Sequence, residues 1–168
     1  MNKLIDSLRS KIYFDQYLFI SISLLSLMGL IFLYSASDGN ISTVVKQSFF
    51  VIFGLILMFI ASQPDPDFYK NNSLFFLIIS IILILLTLLI GKEVNGAKRW
   101  LDLGVFTLQT SEIIKIALPV YLAAYLYDKA LPISLLNTFL TLFLILVIVN
   151  FVRIQPDLGT SLVILIAG

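Results

Sequence analysis

Apolar residues along this chain come in long runs separated by short polar and turn-forming clusters. A helix needs about 20 predominantly apolar residues to cross the hydrocarbon core of a bilayer. Five runs approach that length: residues 17–34, 44–61, 74–90, 111–127 and 135–152. A sixth, 158–168, opens at Leu158 and is still apolar at Gly168, after roughly half a membrane's thickness. A free carboxylate at that depth is costly. The expectation is therefore a truncated chain, with a short interfacial segment as the alternative. The pattern predicts an all-α, polytopic transmembrane helical bundle. Residues 1–168 read as a single membrane domain with five full spans, the start of a sixth, and an outer loop over 91–110.

Composition agrees, because 60% of the residues are hydrophobic and 12% charged, where a soluble domain carries roughly a quarter charged. A globule this small would leave too much of that apolar surface in water. The net charge of +1 argues against a nucleic-acid partner. The absence of Cys and His removes thiolate chemistry, disulfides and the usual zinc ligands. No cofactor is evident, and a divalent metal stays open. Lys3, Arg9 and Lys11 precede the first run and Ser35-Ala36-Ser37 resembles a cleavage site. The run is nevertheless long for a signal core and four more follow, so it reads as an uncleaved anchor. With the N-terminus inside, the inner segments hold Lys3, Arg9, Lys11, Lys70 and Lys129, and the outer ones Lys92, Lys98, Arg99 and Arg153. The basic tail decides the orientation, and the loop between spans three and four is the exception to the rule.

That loop is long for a helix–helix connection. Asn95-Gly96 is a turn signal. Leu101, Leu103 and Val105 alternate, so part of the loop is expected to be extended and to lie on the membrane surface. Trp100 suits an interfacial anchor. Lys98 and Arg99 suit an anion at the outer leaflet, or equally the neutralisation of lipid headgroups by snorkelling. Glu112 and Lys115 stand three apart near the start of span four, on one helix face, where they can pair. Ionisable groups inside a span favour a polar cavity, a self-satisfied ion pair being the alternative. Lys46 and Gln47 can join that cavity or snorkel. In Arg153-Ile154-Gln155-Pro156-Asp157-Leu158-Gly159-Thr160, Pro156 disfavours helix at Gln155. Asp157 and Thr160 can cap the sixth helix. A plain helix start explains this patch as well as a cavity does.

Tyr34-Ser35-Ala36-Ser37 and three further patches resemble one family. The patches are NGAKRWLDL at 95–103, QTSEIIK at 109–115 and QPDLGT at 155–160. The chain resembles the SEDS proteins (shape, elongation, division and sporulation), and leans toward their elongation branch. One departure is visible: Thr110 stands where the family usually has Pro. Proline would pre-set the first helical turn, and Thr is expected to cap that turn instead.

The resemblance implies a multi-pass protein of about ten spans in the bacterial cytoplasmic membrane. It implies a peptidoglycan glycosyltransferase that polymerises lipid II during wall elongation and cell-shape maintenance, beside a class B penicillin-binding protein and membrane lipids. A diphosphate leaving group calls for positive charge. The implied substrate or cavity residues are Lys98, Arg99, Trp100, Glu112, Lys115, Gln155, Asp157 and Thr160. No catalytic residue is expected within 1–168: the family's acidic residue is expected beyond Gly168, and Asp157 is given an architectural or cavity role. This chain alone is expected to be inactive. A lipid-linked precursor flippase and a non-catalytic scaffold of the wall-synthesis complex are the alternatives. Inverted repeats with broken helices would favour the flippase.

Overall fold

The computed structural model describes residues 15–94, 96–104 and 106–168. The basic tail with Lys3, Arg9 and Lys11, the Asn95 half of the turn signal, and Val105 lie outside the described residues. The chain divides into two compact units, one up to Asp65 and one from Pro66 to Gly168.

The first unit holds α1 (Gln16–Ala36) and α2 (Ile41–Ser62). Asp15 caps α1, its Oδ1 accepting from the amides of Tyr17 and Leu18 at 2.9 and 3.0 Å. Asn40 caps α2 through the Thr43 amide at 3.3 Å. Gly39, at φ 77°, lets the chain reverse between them. None of the described residues of either helix is buried, as expected of side chains whose solvent is lipid.

The second unit holds α3 (Pro66–Ile90), β1 (Lys92–Val94), β2 (Ala97–Asp102), β3 (Thr107–Gln109), α4 (Thr110–Tyr127), α5 (Leu135–Ile154) and α6 (Leu158–Ala167). Helix α3 begins at Pro66, well before the apolar run at residue 74. Pro66 pre-sets the first turn and Asp67 meets its positive end, so polar residues extend the helix beyond what hydropathy alone marks. Among the described residues α1, α2, α3 and α5 are long and apolar enough to cross a membrane. The 18-residue α4 carries Thr110, Ser111, Glu112 and Lys115 in its first turns, which dilutes its hydropathy.

Ser73, Ser80 and Thr87 recur every seven residues along the buried side of α3. Their hydroxyls donate to their own helix, at the carbonyls of Lys70, Phe76 and Leu83, over 2.7–2.8 Å. Small side chains with satisfied hydroxyls allow a neighbouring helix to come close in an apolar medium. Leu77 and Ile84 meet Ile114 and Leu118 of α4, Ile148 of α5 and Ile164 of α6 in one core. Lys70 pairs with Asp128 at 3.0 Å, tying the start of α3 to the residue after α4. The two helices are therefore antiparallel, and the loop bridges their other ends.

That loop corrects the all-α expectation. It folds into an antiparallel sheet of order β1-β2-β3. Val94 pairs with Ala97, and Trp100, Leu101 and Asp102 pair with Gln109, Leu108 and Thr107. Gly91 makes the exit from α3 possible, since a Cβ there would lie 2.2 Å from the Thr87 carbonyl oxygen. Gly96, at φ 75°, sits in the first reversal. In the second, Asp102 accepts from the Gly104 amide at 2.9 Å, and Gly104 takes φ 82°. The extended stretch thus stops at Asp102, and Leu103 belongs to the turn rather than to an alternating strand.

Candidate functional site

Ala97 and Leu101 are buried in strand β2, which packs against α3 and α4, and Arg99 between them is half-buried. Lys98 and Asp102 are exposed. The register with β1 shifts at Arg99, with Lys98 opposite Glu93 and Trp100 opposite Lys92. Arg99 donates from Nε to the Gln155 carbonyl at 3.0 Å and from Nη2 to the Pro156 carbonyl. These are charge-assisted bonds to the negative end of α5. Lys98 is exposed and makes no ion pair among the described residues, and Trp100 is half-buried.

Asp157 joins three elements. It caps α6, Oδ1 accepting from the Thr160 amide at 3.1 Å. Oδ2 accepts from Gln109 Nε2 at 3.2 Å, at the end of β3, and from Ser111 Oγ at 3.5 Å, at the start of α4. The carboxylate is buried beside the amino ends of two helices, where negative charge is favoured. Burial pushes its pKa up. The Thr160 hydrogen bonds, the Arg99 charge and the Gln109 amide together outweigh that and hold it below the usual value. Ser161 Oγ donates back to the Asp157 carbonyl at 2.7 Å and closes the turn.

Gln155 is 1% exposed and donates weakly to the Ile84 carbonyl at 3.5 Å, while its Oε1 has no partner among the described residues. Thr110 does not cap α4, contrary to expectation. It is the first helical residue, and Gln109 stands at the cap without a side-chain bond to the helix. The Thr110 hydroxyl instead meets Thr87 Oγ1 at 2.9 Å in the α3–α4 interface. Thr87 has already given its proton to Leu83, so Thr110 is the donor.

Glu112 and Lys115 do pair, at 2.7 Å. The Glu112 side chain is 54% exposed and lies on the rim of an apolar groove of ≈ 330 Å³ between α3 and α4. Phe76, Ile79, Ser80, Ile113 and Ile116 line its length. Lys46 and Gln47 are exposed in the early turns of α2, in the other unit. Among the described residues no cluster of His, Cys, Asp and Glu has the makings of a metal site.

The structure thus gathers Arg99, Gln155, Asp157 and Thr160 into one network, sets Glu112 and Lys115 apart as a pair, and leaves Lys98 exposed and Trp100 half-buried. Sequence reasoning missed Gln109, Ser111 and the Thr87–Thr110 pair as network members. The signal lay in QTSE itself, where polar residues crowd a helix start that opens an apolar run.

The profile of the FtsW/RodA/SpoVE family, described as "Cell cycle protein", matches residues 15–168. The chain is 34% identical over 158 residues to the peptidoglycan glycosyltransferase MrdB of Escherichia coli K12, covering 94% of this chain and 43% of that protein. It is 35% identical to the peptidoglycan glycosyltransferase RodA of Treponema pallidum, covering 90% and 36% respectively. Its fold is similar to the crystal structure of the Thermus thermophilus rod shape determining protein RodA, with a TM-score of 0.82 at 28% identity over 90% of this chain and 50% of that one. A chain from a structure described as the coordination of polymerization and crosslinking by a peptidoglycan synthase complex gives a TM-score of 0.81 at 28% identity, over 90% of this chain and 45% of that one. The chain spans less than half the length of the curated relatives it matches.

Proposed function

Because the chain belongs to the FtsW/RodA/SpoVE family of cell cycle proteins, we propose that it supplies the N-terminal portion of a peptidoglycan glycosyltransferase acting on lipid II at the cytoplasmic membrane. The observation that carries this reading is the match along 94% of the chain to a relative named for that activity. In this reading residues 1–168 form one membrane domain whose five full spans include α4, with the N-terminus inside. A class B penicillin-binding protein is the partner, in keeping with the likeness to a chain of a peptidoglycan synthase complex.

In this reading the site residues divide the labour. Arg99, Gln155, Asp157 and Thr160 build the frame at the outer end of the bundle. Glu112 and Lys115 face the substrate: the apolar groove below Glu112 suits a lipid chain, and the ion pair sits where the chain would meet its polar head. Lys98, which is exposed, and Trp100, which is half-buried, serve the membrane surface. The test is glycan synthesis from lipid II by the full-length protein with its penicillin-binding partner. Product is expected from the native protein and loss of product from Glu112→Ala. No product from the native pair overturns the activity, and full product from Glu112→Ala overturns the site.

A further inference from the structure

The junction of α4 and α5 carries a feature that the glycosyltransferase reading does not use. Tyr121, Tyr125 and Lys129 are spaced four apart, the interval that lines side chains up along one helix face. The Tyr121 and Tyr125 rings stack at 6.1 Å, and Lys129 Nζ lies 4.5 Å from the Tyr125 ring centroid. The row therefore runs past the end of α4 and finishes on a cation. Beside it an open trough of ≈ 200 Å³ lies between α4 and α5, lined by Tyr121, Leu122, Tyr125, Leu140, Thr141 and Leu144. The Tyr125 hydroxyl donates to Asn137 Oδ1 at 3.0 Å and ties the two helices together there. Thr141 gives its hydroxyl to the Thr138 carbonyl at 2.9 Å, which leaves the lining mainly apolar. Small-molecule sites run to about 300–1,000 Å³, so this trough has room for a stretch of one acyl chain. Helix α5 is long and apolar enough to cross a membrane, and the apolar chains that reach the flank of such a helix are those of lipids. The charges then decide the head. Lys129 makes no ion pair among the described residues, and a ring on one side of an ammonium leaves N–H groups for a phosphate. Its neighbour Asp128 holds Lys70 at 3.0 Å, yet the Asp128 side chain is 68% exposed. Asp128 also stands at the carboxyl end of α4, where cations are favoured. Asp67 and Asp128 offset Lys70 and Lys129 at this end of the unit, so an anionic lipid meets no net positive charge. A zwitterionic head meets its complement.

We propose that the α4–α5 trough is a binding site for phosphatidylethanolamine. One acyl chain lies along Tyr121, Leu140 and Leu144, the phosphate meets Lys129, and the primary ammonium meets Asp128. The site does not depend on the glycosyltransferase reading.

The test is lipid retention by the full-length protein in detergent, mixed with equal amounts of phosphatidylethanolamine, phosphatidylcholine and phosphatidylglycerol of matched chains and read by native mass spectrometry. Phosphatidylethanolamine is expected to be retained about fivefold over phosphatidylcholine, which keeps the phosphate but has no N–H to give a carboxylate. Asp128→Asn should erase that preference. Lys129→Met should lower retention of both lipids about fivefold, and Leu140→Trp, which fills the trough, should lower both as well. The last two variants lie in different elements, so failure of one to fold leaves the other. Equal retention of phosphatidylethanolamine and phosphatidylcholine by the native protein overturns the proposal. So does phosphatidylglycerol retained above phosphatidylethanolamine, or retention that neither Lys129→Met nor Leu140→Trp changes.

Discussion

Two polar clusters lie within a helical turn of each other at the start of α4, and they are built in opposite ways. The Asp157 cluster is shared property. Its carboxylate takes donors from the end of β3, from α4 and from α6, and its neighbour Arg99 reaches the same turn from β2. The Glu112–Lys115 pair is private. Both partners belong to one helix, they satisfy each other at 2.7 Å, and Glu112 remains half exposed on the groove rim. A cluster that joins elements holds the fold and has little free bonding capacity for a ligand. A pair closed on its own helix holds almost nothing and can open toward one. Charge alone does not separate these roles, whereas the distribution of partners does.

The largest test of that contrast is Asp157→Ala. It removes a helix cap, worth about 1 kcal/mol, and strands buried donors at about 1–3 kcal/mol in total. Thermal unfolding in detergent should show a loss on the order of 3 kcal/mol, with Asp157→Asn recovering part of it. A variant that melts with the native chain would break the comparison at its stronger end. Arg99→Ala should follow, at about 1.5–3 kcal/mol for its bonds to the Gln155 and Pro156 carbonyls. Arg99→Lys should rescue little, because a point charge cannot span two acceptors as the planar fork does.

Thr110→Val should cost about 1 kcal/mol, and the double variant with Thr87→Val should cost less than the sum of the two singles, since each single leaves a partner unpaired. Acid should act more gently. The Asp157 carboxyl is held below the ordinary aspartate value. Its contribution is therefore complete above that value and is lost as pH falls through the lower, folded one. Unfolding followed against pH should be flat near neutrality and should steepen below about pH 4, with Asp157→Asn removing that steepening.

The helices were legible because lipid demands long apolar runs, and those runs are visible without any partner. The bounds slipped where polar residues continue a helix for reasons of backbone geometry, as from Pro66 to Ser73. The sheet was half legible. Gly96 and the alternation near Leu101 announced extended chain, but pairing β2 with both neighbours depends on register. The reversal at Asp102–Gly104 turns on one side-chain bond. The polar network at the α5–α6 turn was legible as a set of residues and illegible as a set of bonds. Lys98 and Arg99 are adjacent in sequence, yet Arg99 is taken up by the Gln155 and Pro156 carbonyls while Lys98 stays exposed. Gln109 and Ser111 carry no charge and were given no role within QTSEIIK, although they hold the buried carboxylate. Thr110 read as a cap because it opens a helix, and its bond to Thr87 becomes visible only when α3 is packed beside it.

The smallest stability effect is expected at Glu112, and it is the most informative. Glu112→Gln breaks an i,i+3 pair worth about 0.2–0.5 kcal/mol, on a side chain tied to no other element among the described residues, so unfolding in detergent should scarcely move. In the full-length protein the same substitution should abolish most glycan synthesis, because it alters charge at the rim where the substrate's lipid chain would meet its polar head. Arg99→Ala gives the opposite profile, with stability lost first and activity lost only as far as the frame loosens. Measuring both quantities on both variants sets the two clusters against each other. If Glu112→Gln proves as destabilising as Asp157→Ala, the pair is structural after all, and the groove beside it loses its claim to be the substrate-facing side of α4.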